Sequence, residues 1–188
     1  MMRKQFAAIV LAVLVITAQG NAKEIAGINM PESLKTGQTT LLLNGAGVRE
    51  KFFIDVYVGG LYLKKRSQDP KEIIEANEPM AIRLHVVSSM LTSKKMEKAT
   101  REGFAKATDG NIEPIKVQID EFCSVFQKEI KEDDRYDLIY VPGKGVEVYI
   151  NGEYASVTEG LAFKKALFGI WLSDKPAQKS LKKAMLGQ

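Results

Sequence analysis

The chain has one cysteine and one histidine among its 188 residues. A single cysteine excludes an internal disulfide framework, and a single histidine argues against a His-rich metal site. No metal and no cofactor is therefore expected. Charge of one sign is also scarce: 27 basic residues stand against 23 acidic ones, with Asp and Glu interleaved among the lysines. A nucleic-acid partner would need basic charge concentrated on one face or arm, so none is expected. Long apolar runs are missing as well. The longest, Phe6 to Ala18, has 13 residues, and a spanning helix needs about 20.

That run follows Arg3 and Lys4 and precedes Ala18-Gln19-Gly20 and Gly20-Asn21-Ala22, each with small residues at the −3 and −1 positions. This is the pattern of a cleavable secretory signal over residues 1–22. The expected mature domain is 23–188, with no stable membrane span after cleavage and a periplasmic or secreted location. Without Arg3 and Lys4 the net charge is near +2.

What is present reads as α+β. Strands are expected at 39–44, 52–63, 81–87, 136–141 and 146–150. Asn151-Gly152 marks a hairpin into a return strand over 153–157, because both residues tolerate positive φ. Gly59-Gly60 inside the second strand predicts a bend or a close backbone approach. Alternation places Val56 and Val58 on the opposite side from Tyr57. Helices are expected at 93–108 with Thr92 or Ser93 as cap, at 120–131, at 158–171 and at 180–185. Strands in runs, with helices grouped between them, imply an antiparallel sheet rather than strict β-α alternation.

Enzyme motifs are sparse. Gly45-Ala46-Gly47 lacks the third glycine of a dinucleotide fingerprint and precedes a strand, so no helix N-terminus follows to receive a phosphate. Cys123 lies among apolar neighbours and reads as a small buried hydrophobe. His85, inside Ile82 to Val87, reads as a half-buried strand residue rather than a base.

Asn44-Gly45-Ala46-Gly47-Val48-Arg49 leads into Val56-Tyr57-Val58-Gly59-Gly60-Leu61-Tyr62-Leu63. Later come Ala166 to Ser173 and Leu181-Lys182-Lys183-Ala184. In order and spacing these segments resemble the chalcone-isomerase fold family, in the version found in exported bacterial chalcone isomerase-like proteins, over residues 24–187. The resemblance implies an open-faced β-sandwich: a large antiparallel sheet with a helical layer on one face and a ligand cleft between them. In the plant enzymes of that family a hydroxychalcone closes to a flavanone, and an arginine matched here by Arg49 stabilises the developing anion. The enzymes' other catalytic positions fall at Tyr57 and near Met96, Gly103 and Ile170. Non-catalytic members resemble fatty-acid-binding proteins and hold a carboxylate with an arginine and a tyrosine.

The resemblance thus implies a ligand site of Arg49 and Tyr57, with Phe168 on the apolar tail. Two functions stay open. One is a non-catalytic binder of an acidic apolar molecule such as a fatty acid. The other is an isomerase or intramolecular lyase acting on a chalcone-like or other enone, with Arg49 as its catalytic residue. Read without the resemblance, Arg49 caps a loop or pairs with Glu50 or Asp55.

Overall fold

A computed structural model of the chain describes residues 23–188, so the expected signal segment lies outside the described residues. Two short strands, β1 (Lys23–Ile25) and β2 (Ile28–Met30), form a hairpin of their own. A second sheet then runs in chain order as a seven-stranded antiparallel meander: β3 (Ser33–Thr36), β4 (Thr39–Lys51), β5 (Ile54–Leu63), β6 (Met80–Val86), β7 (Arg135–Val141), β8 (Gly145–Ile150) and β9 (Glu153–Thr158). Five helices interrupt or follow it: α1 (Pro70–Glu75), α2 (Ser93–Ala107), α3 (Lys116–Cys123), α4 (Leu161–Leu172) and α5 (Lys179–Met185). The expected α+β class and open-faced sandwich are what the chain adopts. No described helix is long and apolar enough to cross a membrane.

The main core lies between the sheet and the helices. Leu61, Ile82, Leu138 and Val148 rise from the strands to meet Phe104, Phe122, Phe163 and Leu167. In α2 the buried residues Met96, Thr100, Gly103 and Phe104 repeat at three- and four-residue spacing, the stripe of a helix with one wet face. Thr92 caps its start, its hydroxyl accepting from the Lys95 N–H at 3.4 Å. In α4 burial runs nearly all round, from Phe163 to Leu172 with only Lys165 partly exposed, as suits a helix packed on more than one side. A smaller cluster, Met30, Leu41, Val58, Tyr62 and Ile139 among others, occupies the sheet's other face. There Tyr62 donates to the Pro31 carbonyl at 3.0 Å, and Arg83 grips Asp137 through two parallel bonds of 2.5 and 2.9 Å.

Several expectations are corrected by packing. The strand expected at 39–44 does not end there: Gly45 and Gly47 lie inside β4, which continues to Lys51. A Cβ at Gly45 would stand 2.1 Å from the Ala184 carbonyl oxygen, and one at Gly47 2.6 Å from the Ala184 Cβ. Both glycines are there so that α5 can lie directly on the strand. The strand expected from Phe52 begins at Ile54, because Phe52 and Phe53 form the hairpin turn. Gly59 and Gly60 leave the β5–β6 ladder continuous from Tyr57 to Leu63, and the expected close approach is met at Gly60, where a Cβ would stand 2.4 Å from Met30 Cε. The third helix starts at Lys116, after a tight turn opened by Pro114, and tightens to a 3₁₀ turn at Ser124. The Ser124 hydroxyl donates to the Glu121 carbonyl at 2.7 Å, competing with the helix ladder. The fourth helix starts at Leu161 rather than 158, since Thr158 is still paired with Val146 in the sheet. Asn151 and Gly152, at φ 55° and 89°, make the expected hairpin turn.

Candidate functional site

Between the helical face of the sheet and helices α2 and α4 lies a cavity of about 400 Å³. Tyr57, Leu84 and Leu138 line it from β5, β6 and β7, and Met96, Gly103 and Ile170 from the helices. Its interior is apolar, and its volume falls at the small end of ligand pockets, which run from about 300 to 1,000 Å³.

Arg49 and Tyr57 are directly opposed across the β4–β5 ladder and therefore share a sheet face. That face is the helical one. One step further along, the pairing jumps from Arg49 with Tyr57 to Glu50 with Asp55, leaving Val56 as the extra residue of a bulge. The bulge turns Val56 towards the cavity beside Tyr57, whereas alternation alone predicts the opposite side. Val58 keeps its expected place in the cluster on the far face.

The Tyr57 side chain is 7% exposed. Its hydroxyl accepts from the Trp171 indole N–H at 3.0 Å, and no described group accepts its own proton. Burial pushes the phenol pKa up, opposed by the Trp171 hydrogen bond and then by the Arg49 charge. The phenol is therefore neutral near pH 7 and has a proton to donate.

Arg49 is in none of the ion pairs among the described residues, so neither Glu50 nor Asp55 claims it. Its Nη1 donates to the Glu50 backbone carbonyl and, at 2.9 Å, to Oε1 of Gln178. Oε1 of Gln178 also accepts from the Glu50 N–H at 2.9 Å. Gln178 precedes α5, so the helix docked on the glycines of β4 also holds the arginine in place. A guanidinium carries five N–H donors, and its Nε and Nη2 remain able to meet a planar anion.

The structure brings Arg49 and Tyr57 together but not Phe168. That ring is fully buried and lies 5.2 Å from the Lys164 ammonium, away from the cavity. On α4 it is Ile170 and Trp171 that reach the pocket. Trp171 and Gln178 were missed by sequence reasoning. For Trp171 a signal existed, as the chain's one tryptophan carries an N–H that burial obliges to find an acceptor. For Gln178 no local pattern points at a strand 129 residues away.

Met96, Gly103 and Ile170, near which the resemblance puts catalytic positions of the plant enzymes, all line the cavity and themselves bring no acid, base or amide to it. Gly103 cannot readily be enlarged, since a Cβ there would stand 2.8 Å from Ile170 Cγ2. Cys123 is buried and its thiol is pushed up to about 11 by desolvation, so it is not a ready nucleophile.

A model of the family described as chalcone isomerase-like matches residues 22–187. Among solved structures, a fatty-acid binding protein of Arabidopsis thaliana aligns with a TM-score of 0.68 over 85% of this chain and 92% of that one, at 19% identity. That likeness is one of fold. No match was found among curated proteins.

Proposed function

Since the chain belongs to the chalcone isomerase-like family, we propose that it is a non-catalytic binder of an acidic apolar small molecule, of which a medium-chain fatty acid is the type. The observation that carries this is the pairing of Arg49 and Tyr57 beside an apolar cavity, with the phenol proton uncommitted. A carboxylate meets the guanidinium through parallel charge-assisted bonds and accepts a further one from the phenol. The alkyl tail then lies along Leu84, Leu138 and Ile170 and leaves water. The fold neighbour is a fatty-acid binding protein, which supports the reading. The lack of polar side chains at Met96, Gly103 and Ile170 favours it over the isomerase, which needs groups to position substrate and water as well as an anion-stabilising arginine.

Calorimetry with a fatty-acid series and the matching primary alcohols tests the proposal. Acids should bind more tightly than alcohols of equal length by about tenfold or more, the worth of a charge-assisted bond. Equal affinities, or no binding of either, would remove the carboxylate site. Rapid stereoselective closure of a hydroxychalcone, lost in Arg49→Ala, would promote the isomerase.

We propose in addition that this binder is exported, on the strength of the charged start, the 13-residue apolar run and the small-residue sites before Ala22. N-terminal sequencing of the envelope fraction should begin near Asn21 or Lys23, and recovery of full-length chain from the cytoplasm would reject export.

A further inference from the structure

The β4–β5 hairpin turns on two residues, Phe52 and Phe53, between the paired Lys51 and Ile54. Both have positive φ, 52° and 64°. That is the type I′ pattern, which favours Asn-Gly and penalises bulky side chains. The β8–β9 hairpin of the same chain meets the same demand with Asn151-Gly152. At the β4–β5 turn the residues are the wrong ones for the backbone and also for water: Phe52 is 84% and Phe53 105% exposed. Two disfavoured properties coincide at one tip, so neither local conformation nor core packing explains the pair.

The tip stands at the cavity. Phe52 lines it, as does Met90, itself 54% exposed. Of the charged residues lining the cavity, Arg49, Lys51, Lys95, Lys98 and Lys106 are basic, and Glu102 alone is acidic. The hairpin carries two exposed acids of its own, Glu50 and Asp55, on the strands behind the tip. Exposed aromatics ahead of a basic rim match the boundary of an anionic bilayer, where rings sit among the headgroups and lysines meet phosphate.

We propose that the Phe52–Phe53 tip and the basic rim dock on a membrane surface of anionic phospholipid, setting the cavity mouth against the lipid. The direction of transfer, an acidic lipid product passing between bilayer and cavity, rests on the fatty-acid reading above. The docking itself does not.

Co-sedimentation with vesicles of phosphatidylethanolamine and phosphatidylglycerol, using the chain from residue 23, tests the surface. Wild type should pellet with these vesicles, and less with phosphatidylcholine alone or at raised salt. Phe53→Gly should partition about tenfold less, having lost an inserting ring. Phe53 does not line the cavity, and glycine relieves the positive φ, so this variant should keep its melting temperature and its fatty-acid affinity. Phe52→Asn with Phe53→Gly should partition less still. Absence of wild-type pelleting, or equal pelleting of wild type and Phe53→Gly, would overturn the proposal. So would a wild-type dimer that Phe53→Gly dissociates without any vesicle binding, which would assign the tip to a second copy. Vesicle binding without fatty-acid binding would leave the docking surface standing and remove the cavity reading. Fatty-acid binding without vesicle binding would do the reverse.

Discussion

Arg49→Ala is expected to weaken binding of a medium-chain fatty acid by about ten- to a hundredfold, since a charge-assisted hydrogen bond contributes roughly 1.5–3 kcal/mol. Arg49→Lys should recover only part of the loss. A lysine restores the charge but not the planar fork, and its ammonium would also have to replace the bond to Oε1 of Gln178. Tyr57→Phe should cost less than Arg49→Ala, because it removes one neutral donor. It leaves the Trp171 indole N–H without its acceptor, so some loss of thermal stability should accompany it. Arg49→Ala should be mild for the fold, on the order of 1 kcal/mol, as Gln178 keeps its bond from the Glu50 N–H. Calorimetry beside thermal melts separates the two effects. Unchanged affinity in a folded Arg49→Ala chain would return Arg49 to a purely structural role, fastening β4 to the segment before α5.

The largest loss of stability should come from a residue remote from the ligand. Lys164 on α4 is fully buried, and its ammonium donates to the carbonyls of Ile73, Ile74 and Ala76 at 2.8, 2.9 and 2.8 Å. These belong to the end of α1 and the residue after it, so one side chain satisfies carbonyls that a helix terminus leaves open. The rings of Tyr140 and Phe168 lie 5.4 and 5.2 Å from the same nitrogen. Lys164→Met fills the space but strands three acceptors, so a loss of about 3 kcal/mol is expected, or roughly 6–12 °C in melting temperature. A melt within about 2 °C of wild type would show that water reaches those carbonyls.

The pH dependence gives a second reading of the same group. Burial, with Lys165 adding repulsion, brings the Lys164 pKa down to about 8 from 10.5. Between these values the unfolded chain binds more protons than the folded one, so this group's contribution to stability rises with pH from about 8 towards 10.5. The buried phenols act oppositely at higher pH. Tyr136, raised to about 12, keeps its proton when folded and so costs stability above about 10. The gap between wild type and Lys164→Met should therefore widen between about pH 8 and 10.

The fold was legible where the pattern is local. The buried stripe of α2, the Thr92 cap and the Asn151-Gly152 turn each depend on residues within a few positions of one another. Arg49 and Tyr57 were also legible, but only through family likeness, since cross-strand register cannot be read along a single strand. The failures share a cause in tertiary contact. The strand at 39–44 reads as ending before Gly45 and Gly47 because the reason for those glycines, the packing of α5, lies some 140 residues away. Val56 was placed on the wrong side because a bulge adds one residue to the count. Phe168 was assigned to the ligand because α4 is apolar on nearly every side, which hides the direction each face takes. β1, β2, β3 and α1 are too short to carry a period that could be read.

The contact between β4 and α5 has one more consequence. Every pairing in the large sheet joins strands consecutive in the chain, so a meander of this kind could unravel from either edge. The last helix braces the sheet near its first edge. Asn44, left unpaired at the first register shift of β4, donates to the Met185 carbonyl at 2.9 Å, and Arg49 on the same strand is fastened to Gln178. The C-terminal segment is thereby fastened to β4, so loss of α5 would uncover the strand near the sheet's first edge. The same contact makes Arg49, proposed above to meet a carboxylate, part of the fastening between β4 and the segment before α5.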